Sequence, residues 1–70
     1  MKRISVISSS IKNIGYDIAE QILEIEFSRG AIYQYKKVHN ESVIGLLFAE
    51  SIGSYFAKYI KNRYECEEIK

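Results

Sequence analysis

Residues 23–35, "LEIEFSRGAIYQY", hold the reading on which the fold turns. Leu23, Ile25 and Phe27 alternate with Glu24 and Glu26, the period of a strand with one apolar and one charged face. The chain must then reverse, and the place of reversal decides where Tyr33 and Tyr35 point. A two-residue loop of Arg29 and Gly30 would force an arginine to positive φ. A three-residue loop of Ser28, Arg29 and Gly30 leaves only the glycine in that region, as the residue that completes a type I turn with a bulge. The second loop is the less strained. It sets Phe27 opposite Ala31, Ile25 opposite Tyr33 and Leu23 opposite Tyr35, so both tyrosines join the apolar face. Gln34 and Lys36 then share the outer face with Glu24 and Glu26. A slip of one residue would reverse every assignment.

Working outward, "RISVISS" alternates Ile4, Val6 and Ser8 with Ser5, Ile7 and Ser9 and predicts a short strand. "IKNIGYDI" predicts a second, with Ile14, Tyr16 and Ile18 on one side and Gly15 marking a bulge or a close backbone approach. After Val38 the period becomes helical. Asn40 is the expected N-cap of a helix whose apolar stripe is Val43, Ile44, Leu47 and Phe48. "ESIGS" interrupts it, and Ser51 or Ser54 caps a second helix, "YFAKYIKNRY". There Ser54, Lys58, Lys61, Asn62 and Glu65 form a polar face opposite Phe56, Tyr59 and Ile60. The acidic tail "ECEEIK" is expected to fray or to add a short edge strand. The expected fold is a small α+β domain over residues 1–70, an antiparallel β-meander of three to four strands with two C-terminal helices packed on one face.

A chain of 70 residues buries only about 60% of its unfolded surface. The single cysteine, Cys66, has no disulfide partner within the chain, and with one histidine, His39, no zinc set can be assembled from it. A hydrophobic content of 47% argues for a folded domain over a disordered one. No apolar run approaches a membrane span and the N-terminus lacks a signal-peptide core, so a cytoplasmic protein is expected. The net charge of +1 provides no global attraction to polyanions; any basic surface must be local.

The segments "SSSIKNIGYD", "LEIEFSRGAIYQY" and "AESIGSYFAKYIKNRY" resemble the KTSC domain. That family is named after its occurrence at the C-terminus of some lysyl-tRNA synthetases, and it also occurs as free-standing small bacterial or phage proteins. The resemblance covers nearly the whole chain. Its most specific elements are Ile14-Gly15-Tyr16-Asp17, the YxY of Tyr33 and Tyr35, and Ser51, Gly53, Tyr55 and Phe56 entering the last helix. The chain departs from the family at three places: His39 and Ile52 stand where prolines are common, and Ala57 where an asparagine is common. The resemblance implies RNA binding as a suggested role, and no established one.

Base stacking requires exposed ring faces within a basic groove. Tyr33 and Tyr35 are candidates, although the register above packs their rings against the helices. Lys36 and Lys37 with Lys58, Lys61 and Arg63 would form a basic surface good for about three or four phosphate contacts. The plainer reading makes these lysines the solvated face of an ordinary helix. Asp17 and Glu20 flank a turn, where Asp is a standard turn former. Nothing activates the serine run as a nucleophile, His39 reads as a loop residue, and the glutamates around Cys66 disfavour a thiolate. No enzyme, cofactor or metal is therefore expected. Three functions remain: a non-catalytic binding module for RNA or another nucleic acid, a protein-interaction or self-association domain, and a nucleotide-like small-molecule binder at a subunit interface lined by Tyr33, Tyr35 or Tyr55.

Overall fold

The computed structural model describes all 70 residues. In chain order the elements are β1 (Arg3–Ser5), β2 (Ile11–Asp17), β3 (Ile22–Phe27), β4 (Ile32–Tyr35), α1 (Asn40–Leu47), α2 (Ile52–Tyr59) and β5 (Cys66–Glu68). They form one antiparallel sheet in the order β1-β2-β3-β4-β5, with both helices inserted between its last two strands. The sheet thus has five strands where three to four were expected, because the tail pairs with β4 through Tyr33 opposite Glu68 and Tyr35 opposite Cys66.

The β3–β4 turn follows its local chemistry. Gly30 has a φ of +103°, its N–H donates to the Phe27 carbonyl at 2.8 Å, and the Phe27 N–H donates to the Ala31 carbonyl at 2.8 Å. Leu23 consequently faces Tyr35 and Ile25 faces Tyr33, the register that the three-residue loop dictates. Upstream, the bulge lies between Ile11 and Asn13, not at Gly15. Gly15 serves close approach instead: a methyl group there would lie 2.7 Å from Arg3 Cγ. Asp17 makes the β2–β3 turn, its Oδ1 accepting from the Ala19 and Glu20 N–H groups at 3.1 Å each. The Tyr16 hydroxyl donates to the Val38 carbonyl, and the Val38 N–H to the Gln21 carbonyl at 2.9 Å, which ties the end of β4 to that turn.

One face of the sheet carries Ile11, Ile14, Leu23, Ile25 and Tyr35, which pack with Val38 against Val43, Leu46, Phe56 and Ile60. The other face is polar. Arg3 lies 3.4 Å from Glu24 and 3.8 Å from Glu26, Asn13 donates to Glu26 at 2.8 Å, and Gln34 donates to Glu24 at 2.8 Å. The hydrogen bond from Asn13 holds the Glu26 carboxyl below its ordinary range. Ile32, opposite Glu26, is buried apart from the main core.

The helices differ from expectation in rotation and length. His39, not Asn40, is the N-cap of α1, and it makes no side-chain capping bond. The stripe turned to the core is Val43 and Leu46 with the half-buried Leu47, whereas Ile44 and Phe48 are 46% and 84% exposed. Five apolar residues spread over a wide arc leave the rotation to tertiary packing. Gly45 sets it: the Tyr55 ring of α2 lies against it, where any Cβ would collide with the hydroxyl. In α2 the Ser51 hydroxyl accepts from the Ser54 N–H at 3.3 Å, the expected cap. The helix ends at Tyr59, since Ile60 is drawn fully into the core and the N–H groups of Ile60 and Lys61 both donate to the Phe56 carbonyl. Lys61, Asn62, Arg63 and Glu65 therefore leave the helix, and its expected polar face stops at Lys58. Tyr59, expected beside Phe56 and Ile60, is 45% exposed.

A side chain at Gly30 would be strained at its φ whatever the space around it. Gly30→Ala should destabilise the fold by about 1–2 kcal/mol, the left-handed backbone cost, when urea unfolding is followed by circular dichroism. Equal midpoints for the two proteins would remove this turn from its governing place.

Candidate functional site

The register that buries Tyr35 also builds a cleft of about 630 Å³. Its walls come from separate parts of the chain: the β1–β2 loop (Ser9, Ser10), the hairpin tip (Phe27, Ser28, Arg29), α2 (Gly53, Phe56, Ala57), the turn after it (Lys61, Asn62) and Cys66 of β5. The Ser28 N–H donates to the Ser10 carbonyl at 2.9 Å, joining tip to loop. The Ser8 hydroxyl accepts from the Ser10 and Ile11 N–H groups at 3.3 Å each and shapes that loop. Gly53 lets α2 settle onto it, for a methyl group there would lie 2.8 Å from Ser10 Oγ.

Four rings line the cleft. Phe27 meets Tyr33 edge-on at 5.8 Å and Phe56 at 5.4 Å, Tyr35 meets Phe56 edge-on at 5.5 Å, and Tyr33 stacks on Tyr35 at 6.3 Å between centroids. This geometry suits aromatic pairs and fixes each ring against its neighbours. The Arg29 guanidinium carbon lies 5.2 Å from the Phe27 centroid, within cation–π range. Of the 13 lining residues two are cations, Arg29 and Lys61, and none is a carboxylate, so the local field favours an anion.

The YxY pair is divided between structure and site. Tyr35 is 4% exposed and its ring belongs to the core, whereas Tyr33 is half-buried and its hydroxyl donates to Glu68 at 3.3 Å. Burial, reinforced by the Cys66 thiol and Tyr33, pushes the Tyr35 hydroxyl up to about 12. At neutral pH that hydroxyl is a proton donor.

Three of the residues expected from sequence line the cleft: Tyr33, Tyr35 and Lys61. The others are not among its lining residues. Lys36 is 3.9 Å from Glu67, Tyr55 packs on Gly45 and Tyr59, the Lys58 ammonium lies 5.8 Å from the Tyr59 ring, and Lys37 and Arg63 are exposed outside the cleft. One chain supplies all the lining residues of this cleft, and Tyr55 is not among them. Sequence reasoning missed Phe27, Arg29, Phe56 and Asn62 as cleft residues. Arg29 was visible only as a turn residue.

The KTSC domain model matches residues 7–64. The chain belongs to the KTSC family. An uncharacterised protein of Stutzerimonas stutzeri is 47% identical to this KTSC domain over 64 residues, which cover 91% of this chain and 90% of that one. The crystal structure of a KTSC domain protein from Yersinia pestis superposes with a TM-score of 0.93 at 37% identity, covering 99% of this chain and 97% of that one. A lysine–tRNA ligase of Nostoc punctiforme is 38% identical over 61 residues, 87% of this chain but only 11% of the ligase. The motifs behind the resemblance now have physical roles: Gly15 admits β1, Ser51 caps α2, Gly53 seats it on the loop, and Phe56 closes both core and cleft. Ala57, at the position where asparagine is common, lines the cleft with a methyl group. No helix of the domain is long and apolar enough to cross a membrane.

Between the ordinary tyrosine value near 10 and about 12, the unfolded chain releases a proton that folded Tyr35 keeps. Folding stability should therefore fall as pH rises through that window. Ultraviolet titration should find a late-ionising tyrosine that Tyr35→Phe removes, together with part of the alkaline loss of stability. Identical titrations of the two proteins would contradict the burial of this hydroxyl.

Proposed function

We propose that this KTSC domain is a non-catalytic binding module of the cytoplasm that takes single-stranded nucleic acid, RNA in the first place, at the cleft beneath the β3–β4 hairpin. The observation that carries this reading is the joining of four aromatic rings to Arg29 and Lys61 in a lining free of carboxylates. Phe27 and Tyr33, half-buried, leave ring surface for a nucleobase, whereas Tyr35 and Phe56 are buried, and Arg29 and Lys61 complement the negative charge of phosphate. The related stretch in a lysine–tRNA ligase is in keeping with an RNA ligand. A binding role without catalysis accords with the side chains present: the lining has no histidine or carboxylate to serve as a general base, and the Tyr35 hydroxyl is held protonated. A second reading, self-association, is favoured by Phe48, Ile44 and Tyr59, apolar side chains left in water on the helices.

Two cations would make the binding modestly salt-dependent. With about 0.7 of a counterion released per single-strand phosphate contact, affinity should fall about sevenfold between 50 and 200 mM salt. Fluorescence anisotropy with a single-stranded RNA of about eight nucleotides measures this directly. Arg29→Gln with Lys61→Gln should abolish the salt dependence. Absence of binding at the lower salt, or binding indifferent to salt, would refute the nucleic-acid reading.

A further inference from the structure

We infer that the cleft accommodates one nucleotide carrying a terminal phosphomonoester, its base against the ring floor and its phosphate between Arg29 and Lys61, and that it does not track a run of strand. The inference rests on the reading just given and narrows its ligand. A groove that follows a strand needs basic charge continued over several nucleotides. Here the lining itself carries two cations, Arg29 and Lys61. Lys36, Lys37, Lys58 and Arg63 all lie outside the lining, and Lys36 is held toward Glu67. On the β5 side Glu68 accepts from the Tyr33 hydroxyl, whereas Glu67, opposite Gln34, projects from the other face of the sheet. A polymer leaving the cleft in that direction would bring a phosphate against the Glu68 carboxylate, which costs affinity.

The cleft, open to solvent, has a matching volume. About 630 Å³ lies within the range of sites that enclose a small molecule. On one side the hairpin tip is bonded to the β1–β2 loop through Ser28 and Ser10, and Gly53 brings α2 down onto the same loop. Two cations in one small lining suit a group of charge close to −2, which a phosphomonoester carries at neutral pH and a phosphodiester does not. The Tyr35 hydroxyl makes no hydrogen bond within the protein, and with Ser10 and Asn62 it offers polar atoms for the ligand's ring edge or sugar. The shared chemistry is thus a phosphorylated nucleotide, either free or as the end of a strand.

Isothermal titration and amide shift mapping on the intact domain test this with adenosine monophosphate, adenosine, inorganic phosphate, and octanucleotide RNA with phosphorylated or hydroxyl ends. The monophosphate should bind about tenfold more tightly than either of its parts, shifting amides of residues 27–35 and 53–62. Arg29→Gln and Lys61→Gln should each weaken it about tenfold, and Lys61→Gln should weaken adenosine far less than the monophosphate. A preference for phosphate-ended over hydroxyl-ended RNA supports the inference with a strand terminus as the source, and binding of the free nucleotide alone supports it with a free nucleotide as the source. RNA whose affinity climbs with length and ignores its end group overturns this inference and spares the nucleic-acid reading. Monophosphate binding without any RNA binding does the opposite, and binding of neither defeats both.

Discussion

A single backbone angle at Gly30 governs both halves of the molecule. Because the tip residue sits at a φ that favours glycine, the bend closes over three residues and β4 can pair with β3 in only one register. Side chains alternate across a strand, so this choice places Tyr33 and Tyr35 on the helix side together with Leu23 and Ile25. The helices have something to bury as a result. The same choice sends Arg29 outward from the tip and lays it over Phe27, so the charge at the mouth of the cleft and the rings beneath it share one origin.

Core and cleft also share residues. Tyr35 and Phe56 are buried members of the core cluster, and both line the cleft, with Phe27 and Tyr33 packed beside them. In so small a domain, where the buried interior is only a few side chains deep, the same rings serve the core and line the cleft. Truncating a floor ring would remove core packing along with any ligand contact. Arg29 and Lys61 differ in this respect, being exposed and absent from the core, so their substitution leaves the core packing in place.

Much of this architecture is legible in the sequence because it rests on local rules. The alternation in residues 23–27, the glycine ending the loop and the Asp17 turn each act within a few residues, and each forms as read. The rotation of α1 was not legible. Val43, Ile44, Leu46, Leu47 and Phe48 cover so wide an arc that several faces look equally apolar, and only the ring of Tyr55, arriving from the next helix, selects one. The early end of α2 has a similar cause, since the core draws in Ile60 at the expense of the helical turn that would have carried Lys61 and Arg63. The cleft was legible only in fragments: Tyr33, Tyr35 and Lys61 were visible as chemistry, but nothing local brings Ser10 to Ser28 or Asn62 to Phe27.

The three-residue strand at the end of the chain has a further consequence. The backbone of β4 is covered on its outer side by residues that arrive only after both helices, with Ile32 bonded to Ile69 and Lys70 beyond the ladder itself. Were that cover displaced, β4 would offer an open row of amides to any passing extended chain, including copies of itself. The covering strand is poorly suited to propagate such stacking: it is short, fully exposed and carries two adjacent glutamates. Copies meeting along that edge would bring like charges together, which disfavours stacking through the sheet.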